Sequence, residues 1–199
     1  MDIKNKQPIV IRTENITSGS THTHFESIFD TGNDLEIMLD NFVRDGARSV
    51  AVTEHGLFSS FEDLKDIVNA KKGMGIYPDY FEVIPGIEAY FDMSQYGENF
   101  KRAHLILIAK DYEGYQSLSR IVSEAGEFVD ENGRHLNLVT MDNLIKNVNK
   151  GHIICTSACI NGPLASFLGL QEMNLLGKIE KYGPTLKAVN YDENIKTAF

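Results

Sequence analysis

The sequence has a shortage of basic residues, only two cysteines and no long apolar run. Lys and Arg number 19 against 28 Asp and Glu, which gives a formal net charge of −9 at pH 7. This balance argues against a protein that grips nucleic acid through a broad basic face. It leaves room for a metal site that handles phosphate, because bound cations would themselves supply local positive charge.

Membrane and secretory signals are also missing. No apolar run approaches the length that a membrane-spanning helix needs, and residues 1–20 contain no apolar core of the kind found in signal peptides. Cys155 and Cys159 lie in "ICTSAC", and in this context free thiols are expected rather than a disulfide. We therefore expect a cytoplasmic protein that makes no membrane contact.

The length and the order of segments favour one α/β domain. A chain of 199 residues can bury one sizeable core, so residues 1–199 are assigned to a single domain. Strand-like and helix-like segments alternate, which is typical of a parallel α/β architecture. Strands are predicted at 49–53, 80–91, 102–110 and 151–159, and helices at 34–47, 59–73, 112–128 and 141–148.

Local signals define the predicted helix ends. Asn33 is a candidate cap for the first helix, and Thr140 for the last. Ser59 and Glu62 form a capping-box pattern at the start of the second helix. Apolar residues of the first helix share one face, as do those of the third; they are Leu35, Met38, Leu39, Phe42 and Val43, and Tyr115, Leu118, Ile121 and Val122. Loops are predicted at 129–137 and 160–169.

The chemistry-bearing residues begin with a His-x-His pair. His22 and His24 lie in a predicted strand, where alternate side chains point the same way and can face one metal ion. Asp30 and the adjacent pair Glu54 and His55 would add the mixed oxygen and nitrogen ligands that suit Zn, Mn or Fe. Taken alone, His22 and His24 could equally be surface residues of a strand.

Three later residues extend this candidate set. Glu88 lies in a predicted strand, and its carboxylate could bridge two metals through its two oxygens; in isolation, an exposed strand acid is the simpler interpretation. His104 opens an apolar run, where a buried, hydrogen-bonded histidine is the alternative. Cys159 follows a predicted strand, and ligands of parallel sheets gather at the carboxyl ends of strands.

Five strings occur in a fixed order along the chain: "HTHFES..D", "AVTEHG", "IPGIEAY", "HLILIAKDYEGYQSLSRIVSEA" and "IICTSACINGPLA". Together they resemble the polymerase-and-histidinol-phosphatase (PHP) domain over about residues 20–165, with 166–199 only weakly assigned. The fourth string is similar to the branch carried by the alpha subunit of bacterial replicative DNA polymerase III.

The resemblance implies a distorted (β/α)7 barrel with two or three divalent ions, of Zn, Mn or Fe. Glu54 stands where the family usually has Asp, and would act behind the ligands. Cys155 matches no ligand and is expected to be a small buried hydrophobe, while His135 and His152 should be solvent-exposed. The implied metal ligands are His22, His24, Asp30, His55, Glu88, His104 and Cys159.

One family motif is absent. The sequence contains no Asp-x-His, the last metal motif of the family. The barrel would then be incomplete at its C-terminus, and a fragment of a longer polymerase subunit is the simplest explanation. A short, phage-like or degenerate version is the alternative.

The implied function is metal-assisted phosphoester hydrolysis, similar to a 3′–5′ exonuclease acting on DNA 3′ ends. A metal-bound water would be the nucleophile, with other domains or subunits of the DNA polymerase III holoenzyme as partners. No Ser–His–Asp pattern, Gly-rich phosphate loop or polymerase active site is evident. Two alternatives stay open: a non-catalytic structural module of the polymerase, and a histidinol-phosphate-type phosphomonoesterase.

Overall fold

The computed structural model describes residues 19–25, 34–96, 102–126 and 137–167. Several predictions lie outside these ranges, namely Asp30, Asn33, His135, most of the 129–137 loop and residues 168–199. Within these ranges, no helix combines the length and apolar character needed to cross a membrane.

Strands and helices alternate along most of the described chain. The strands are β1 (Gly19–Ser20), β2 (Ser49–Val52), β3 (Glu82–Asp92), β4 (Arg102–Ala109), β5 (Leu138–Val139) and β6 (Ile153–Thr156). The helices are α1 (Leu35–Arg44), α2 (Phe61–Gly73), α3 (Tyr112–Gly126), α4 (Met141–Asn147) and α5 (Pro163–Phe167), with a 3-10 turn at Ser94–Tyr96.

These strands form one mixed, curled sheet that makes a half-barrel. Its order is β1-β2-β3-β4-β6, and β5 pairs with β3. The α/β class is confirmed, but the expected all-parallel sheet is wrong, because β4 runs antiparallel to both β3 and β6. The physical reason is the link between β3 and β4: it covers only residues 93–101, shorter than the roughly twelve residues that a parallel crossover needs.

The reversal of β4 positions the candidate site. Because β4 is antiparallel, its start lies at the edge of the sheet where the parallel strands end. His104 accordingly pairs with Tyr90, near the carboxyl end of β3. β6 runs antiparallel to β4, so Cys159, which follows β6, lies at the same edge.

Helix packing follows the predicted apolar faces. In α1, Leu39 and Val43 are buried against β2 and α2, and the α3 stripe packs on β3 and β4. Asp34, rather than the predicted Asn33, caps α1, because its Oδ1 accepts a hydrogen bond from Ile37 N at 3.1 Å. Thr140 caps α4 as predicted, since its Oγ1 accepts from Asn143 N at 3.1 Å.

Two further predictions are corrected in the last described segment. The short helix α5 replaces part of the loop predicted over 160–169. Cys155 is exposed rather than buried, and both cysteines are free thiols as expected. Its exposure arises because β6 pairs only with β4 among the described strands, so the side chains of residues 154–156 remain uncovered.

Candidate metal centre

The segment carrying His22 and His24 follows β1 and lies outside any strand, which corrects the predicted extended strand. It is nevertheless fixed, because Thr23 O accepts from Thr53 N at 3.0 Å. Thr23 N also donates to Thr53 Oγ1 at 2.8 Å. These bonds hold the peptide between the two histidines against the end of β2. The two Nε2 atoms lie 3.0 Å apart, so both imidazoles face one point.

Glu88 occupies that point. Its side chain is only 1% exposed, which contradicts the interpretation as an exposed strand acid. Its Oε2 lies 2.9 Å from His22 Nε2 and 2.7 Å from His24 Nε2. The same oxygen is 3.6 Å from His55 Nδ1, while Oε1 contacts His104 Nδ1. Four imidazoles therefore converge on one buried carboxylate.

Backbone bonds hold His55 beside Glu88. Glu88 N donates to Glu54 O, and Gly56 N donates to Glu88 O, each at 2.9 Å. Gly56 adopts a φ of +65°, a conformation that glycine reaches without penalty. A Cβ at this position would also lie 2.4 Å from Asn137 Nδ2. The backbone conformation therefore favours glycine after His55, whereas the contact with Asn137 involves the movable end of a side chain.

Glu54 lies behind the imidazole of His24. It is 1% exposed, and its Oε2 is 3.6 Å from His24 Nδ1. Its other oxygen accepts hydrogen bonds from Phe25 N at 2.7 Å and Ser60 Oγ at 2.8 Å. The predicted Ser59–Glu62 capping box is therefore wrong: Ser60 is the N-cap of α2, and its hydroxyl bonds to Glu54 instead of the helix.

This packing shifts two pKa values in opposite directions. Burial works to raise the pKa of Glu88, but hydrogen bonds with His104, His22 and His24 outweigh it and hold that pKa well below its usual range. The carboxylate of Glu54, followed by that of Glu88, raises the pKa of His24 to about 9. In the metal-free chain at pH 7, Glu88 is thus an anion and His24 a cation.

The remaining donors lie on the His104 side of Glu88. Cys159 Sγ is 3.5 Å from His104 Nδ1 and 3.9 Å from Glu88 Oε1. The backbone of Asn161 links Cys159 to His104, since its N donates to Cys159 Sγ at 3.4 Å and its O accepts from His104 N at 2.8 Å. His104 is therefore not an isolated core histidine.

The donor set fits divalent cations. The described residues contain two groups of three side chains whose ligand atoms lie within 4.8 Å of one another inside each group. Both groups include Glu88, one with His22 and His24, the other with His55 and His104. Imidazole nitrogen and carboxylate oxygen are the donors that Zn, Mn and Fe share in proteins. These side chains, with Cys159 and Asn161, line an open pocket of about 380 Å³.

Sequence reasoning missed several supporting residues. Thr53 and Ser60 are fully buried and hold the His22–His24 segment and Glu54 in place. Tyr90 stacks parallel to His55, with ring centroids 5.6 Å apart. Only Tyr90 carried a usable signal, because two residues beyond Glu88 on a strand is the same face. The side chain of His152, expected at the surface, is about one-third exposed, and its Nδ1 lies 2.7 Å from Asp111 Oδ2.

Comparison with known proteins gives consistent polymerase relatives. The DNA polymerase III subunit alpha of Helicobacter pylori (strain ATCC 700392 / 26695) is 34% identical over 191 residues, covering 93% of this chain and 14% of that protein. The corresponding subunit of Campylobacter jejuni is 32% identical, covering 71% of this chain and 11% of that protein. A DNA-directed DNA polymerase of Bacillus phage SPbeta is 27% identical, covering 67% of this chain and 11% of that protein. The chain thus spans a small part of each relative.

The chain was also compared with a solved structure and with a family sequence model. A crystal structure from Bifidobacterium adolescentis, described as a candidate metal-dependent phosphoesterase, matches with a TM-score of 0.31 and 12% identity, covering 88% of this chain and 58% of that one. That similarity is too low to support any inference. The sequence model of the PHP domain, in contrast, matches residues 20–192. This chain therefore belongs to the PHP domain family.

Proposed function

We propose that this chain is a metal-dependent phosphoesterase module of a DNA polymerase alpha subunit, which hydrolyses DNA phosphodiesters at 3′ ends. The observation that carries the proposal is Glu88, a buried carboxylate with imidazoles facing both of its oxygens. The polymerase relatives support a role within a DNA polymerase, with other polymerase domains or subunits as partners. The cytoplasmic location is part of the same proposal and follows from the sequence-based expectation.

The residues present would divide the work as follows. His22, His24 and Glu88 would hold one cation, and His104 and His55 would hold a second together with Glu88, so both cations would depend on the Glu88 carboxylate. Divalent ions held there would supply Lewis acidity and would lower the pKa of water, so that hydroxide is available as the nucleophile near neutral pH. Glu54 would keep the proton of His24 on Nδ1 and leave Nε2 free to ligate, as carboxylates commonly do behind metal-bound histidines.

A second candidate function is a structural module without catalysis. The absence of an Asp-x-His motif from the sequence favours it, because one ion would lack family ligands. The convergence of four histidines on Glu88 favours the hydrolytic function, since imidazole nitrogens and carboxylate oxygens that face one point are the donors that divalent cations bind.

Hydrolysis of defined substrates distinguishes these functions. With Zn²⁺, Mn²⁺ or Fe²⁺ added separately, we expect release of nucleotide from a 3′-labelled single-stranded oligonucleotide, and its loss on chelation. p-Nitrophenyl phosphate in parallel tests the phosphomonoesterase alternative. Metal-loaded, folded protein that leaves both substrates intact would contradict the hydrolytic proposal and support the structural one.

Metal affinity should rise with pH. His24 must lose the proton that its raised pKa, about 9, holds in the metal-free chain, so binding releases a proton. The affinity should increase by about tenfold per pH unit from pH 7 toward 9 and then level off. The same pKa shift stabilises the metal-free fold below pH 6.5, and that contribution is lost as pH rises through about 9.

Competition against a chromophoric chelator, corrected for the chelator's own protonation, would measure this dependence. The Glu54→Gln variant is the matched comparison, because Glu54 is the main cause of the raised pKa. We expect its plateau to begin at a lower pH. An affinity that stays constant from pH 7 to 9 in the parent chain would rule out proton competition at His24.

A further inference from the structure

An arginine stands at the rim of the candidate metal centre. Arg102 is two residues before His104 on β4, so both side chains project from the same face of the sheet. Its guanidinium carbon lies 4.7 Å from the ring centroid of Tyr90. The Tyr90 ring in turn contacts His104, with centroids 5.4 Å apart, and His55. A single aromatic ring therefore separates the Arg102 cation from two candidate metal ligands.

The hydrogen-bonding groups of Arg102 are available. Its side chain is exposed, and no hydrogen bond or ion pair engages it within the structure's described ranges. The opposing residue on β3 is Asp92, whose Oδ1 instead accepts from Ser94 N at 2.9 Å. Among the residues that the structure describes, the guanidinium contacts the Tyr90 ring and no hydrogen-bond acceptor, which leaves its planar set of donors open to a ligand.

We propose that Arg102 binds a phosphate of the substrate next to the one that reacts. This inference rests on the proposed phosphoesterase function and specifies its substrate as a polyanion with more than one phosphate, such as an oligonucleotide. The reacting phosphate would lie against the ligands around Glu88, and the Tyr90 ring places Arg102 outside that position. Guanidinium groups recognise phosphate oxygens through two parallel hydrogen bonds. In an acidic chain of net charge −9, such a contact would offset general repulsion of the substrate.

The test compares Arg102→Ala with a matched control. Arg48, directly before β2, is another exposed arginine that lies over a tyrosine ring: its guanidinium carbon is 5.2 Å from the ring centroid of Tyr80. The control variant is Arg48→Ala. For a single-stranded oligonucleotide, Arg102→Ala should raise KM by about tenfold or more, as expected for a lost charged hydrogen bond, with kcat changed less than about threefold. KM for p-nitrophenyl phosphate, which has one phosphate, should stay within about twofold. Arg48→Ala should leave KM and kcat unchanged for both substrates.

A second readout does not depend on turnover. Oligonucleotide affinity, measured by fluorescence anisotropy with metal present, should become less salt-dependent in Arg102→Ala, with the slope of log K against log salt reduced by about 0.7. If the parent hydrolyses DNA and both variants keep the parent's KM values and salt slopes, the role of Arg102 is overturned and the proposed function stays intact. An equal rise in KM for p-nitrophenyl phosphate would also overturn it. A parent chain that hydrolyses nothing, yet binds oligonucleotide through Arg102, would instead refute the proposed function alone.

Discussion

Replacing Glu88 with glutamine should remove phosphoesterase activity while the chain remains folded. The amide has nearly the same shape but carries no charge, so it cannot neutralise the repulsion between two neighbouring cations. Because both candidate ligand groups include Glu88, the change acts on both at once. We expect the rate to fall by well over the roughly 10–100-fold that a change behind the ligands costs.

The folded state should suffer less than the activity does. The imidazoles around Glu88 keep between 11% and 29% of their side-chain surface exposed, so water can partly hydrate them once the carboxylate is gone. Glu82→Gln is the matched control on the same strand, since it removes only an exposed ion pair with Lys72, worth about 1 kcal/mol or less. Thermal melts beside hydrolysis assays would compare the two. A Glu88→Gln protein that unfolds but keeps full specific activity in its folded fraction would contradict the proposed role.

The double variant His22→Ala/His24→Ala should lose the cation that the group of His22, His24 and Glu88 would hold, and keep the one beside His55 and His104. In the parent chain the Nε2 atoms of His22 and His24 lie 3.0 Å apart, and each is within 3 Å of Glu88 Oε2. The double substitution therefore removes two of the three donors of one group. Metal content after gel filtration, measured by mass spectrometry, should fall by about one ion per chain, from about two to about one.

A histidine outside the site provides the control for this loss. His152 contacts Asp111 and Glu113 at the start of α3 and belongs to neither candidate ligand group. The His152→Ala variant should retain the parent's metal content. Equal and substantial metal in all three proteins would show that the ions bind elsewhere.

Local sequence patterns were enough to predict most elements of this fold. The apolar faces of α1 and α3 and the cap at Thr140 depend on residues close together in the chain, and the structure has them as predicted. Strand direction depends instead on which strands pair, which no local pattern records. The depth of His104 could not be predicted for that reason, since it follows from the antiparallel pairing of β4 with β3.

The candidate site shows the same division. Residue types and spacing indicated the members of the set, and the structure brings His22, His24, His55, Glu88, His104 and Cys159 to one pocket. Asp30 lies outside the described residues, and ligation itself stays a prediction. The supporting contacts were not predictable, because Ser60 follows an ordinary helix-capping pattern and only the folded chain brings its hydroxyl to Glu54. The stack of Arg102 on Tyr90 likewise depends on cross-strand register.

Anomalous diffraction from crystals grown with Mn²⁺ tests the shared-carboxylate site most directly. We expect two anomalous peaks flanking Glu88, one of them within about 2.5 Å of Oε2 and of the Nε2 atoms of His22 and His24. The second peak should lie beside His104 and His55. Ordered side chains in the same positions with no anomalous peak at Glu88, in crystals that contain Mn²⁺, would contradict it.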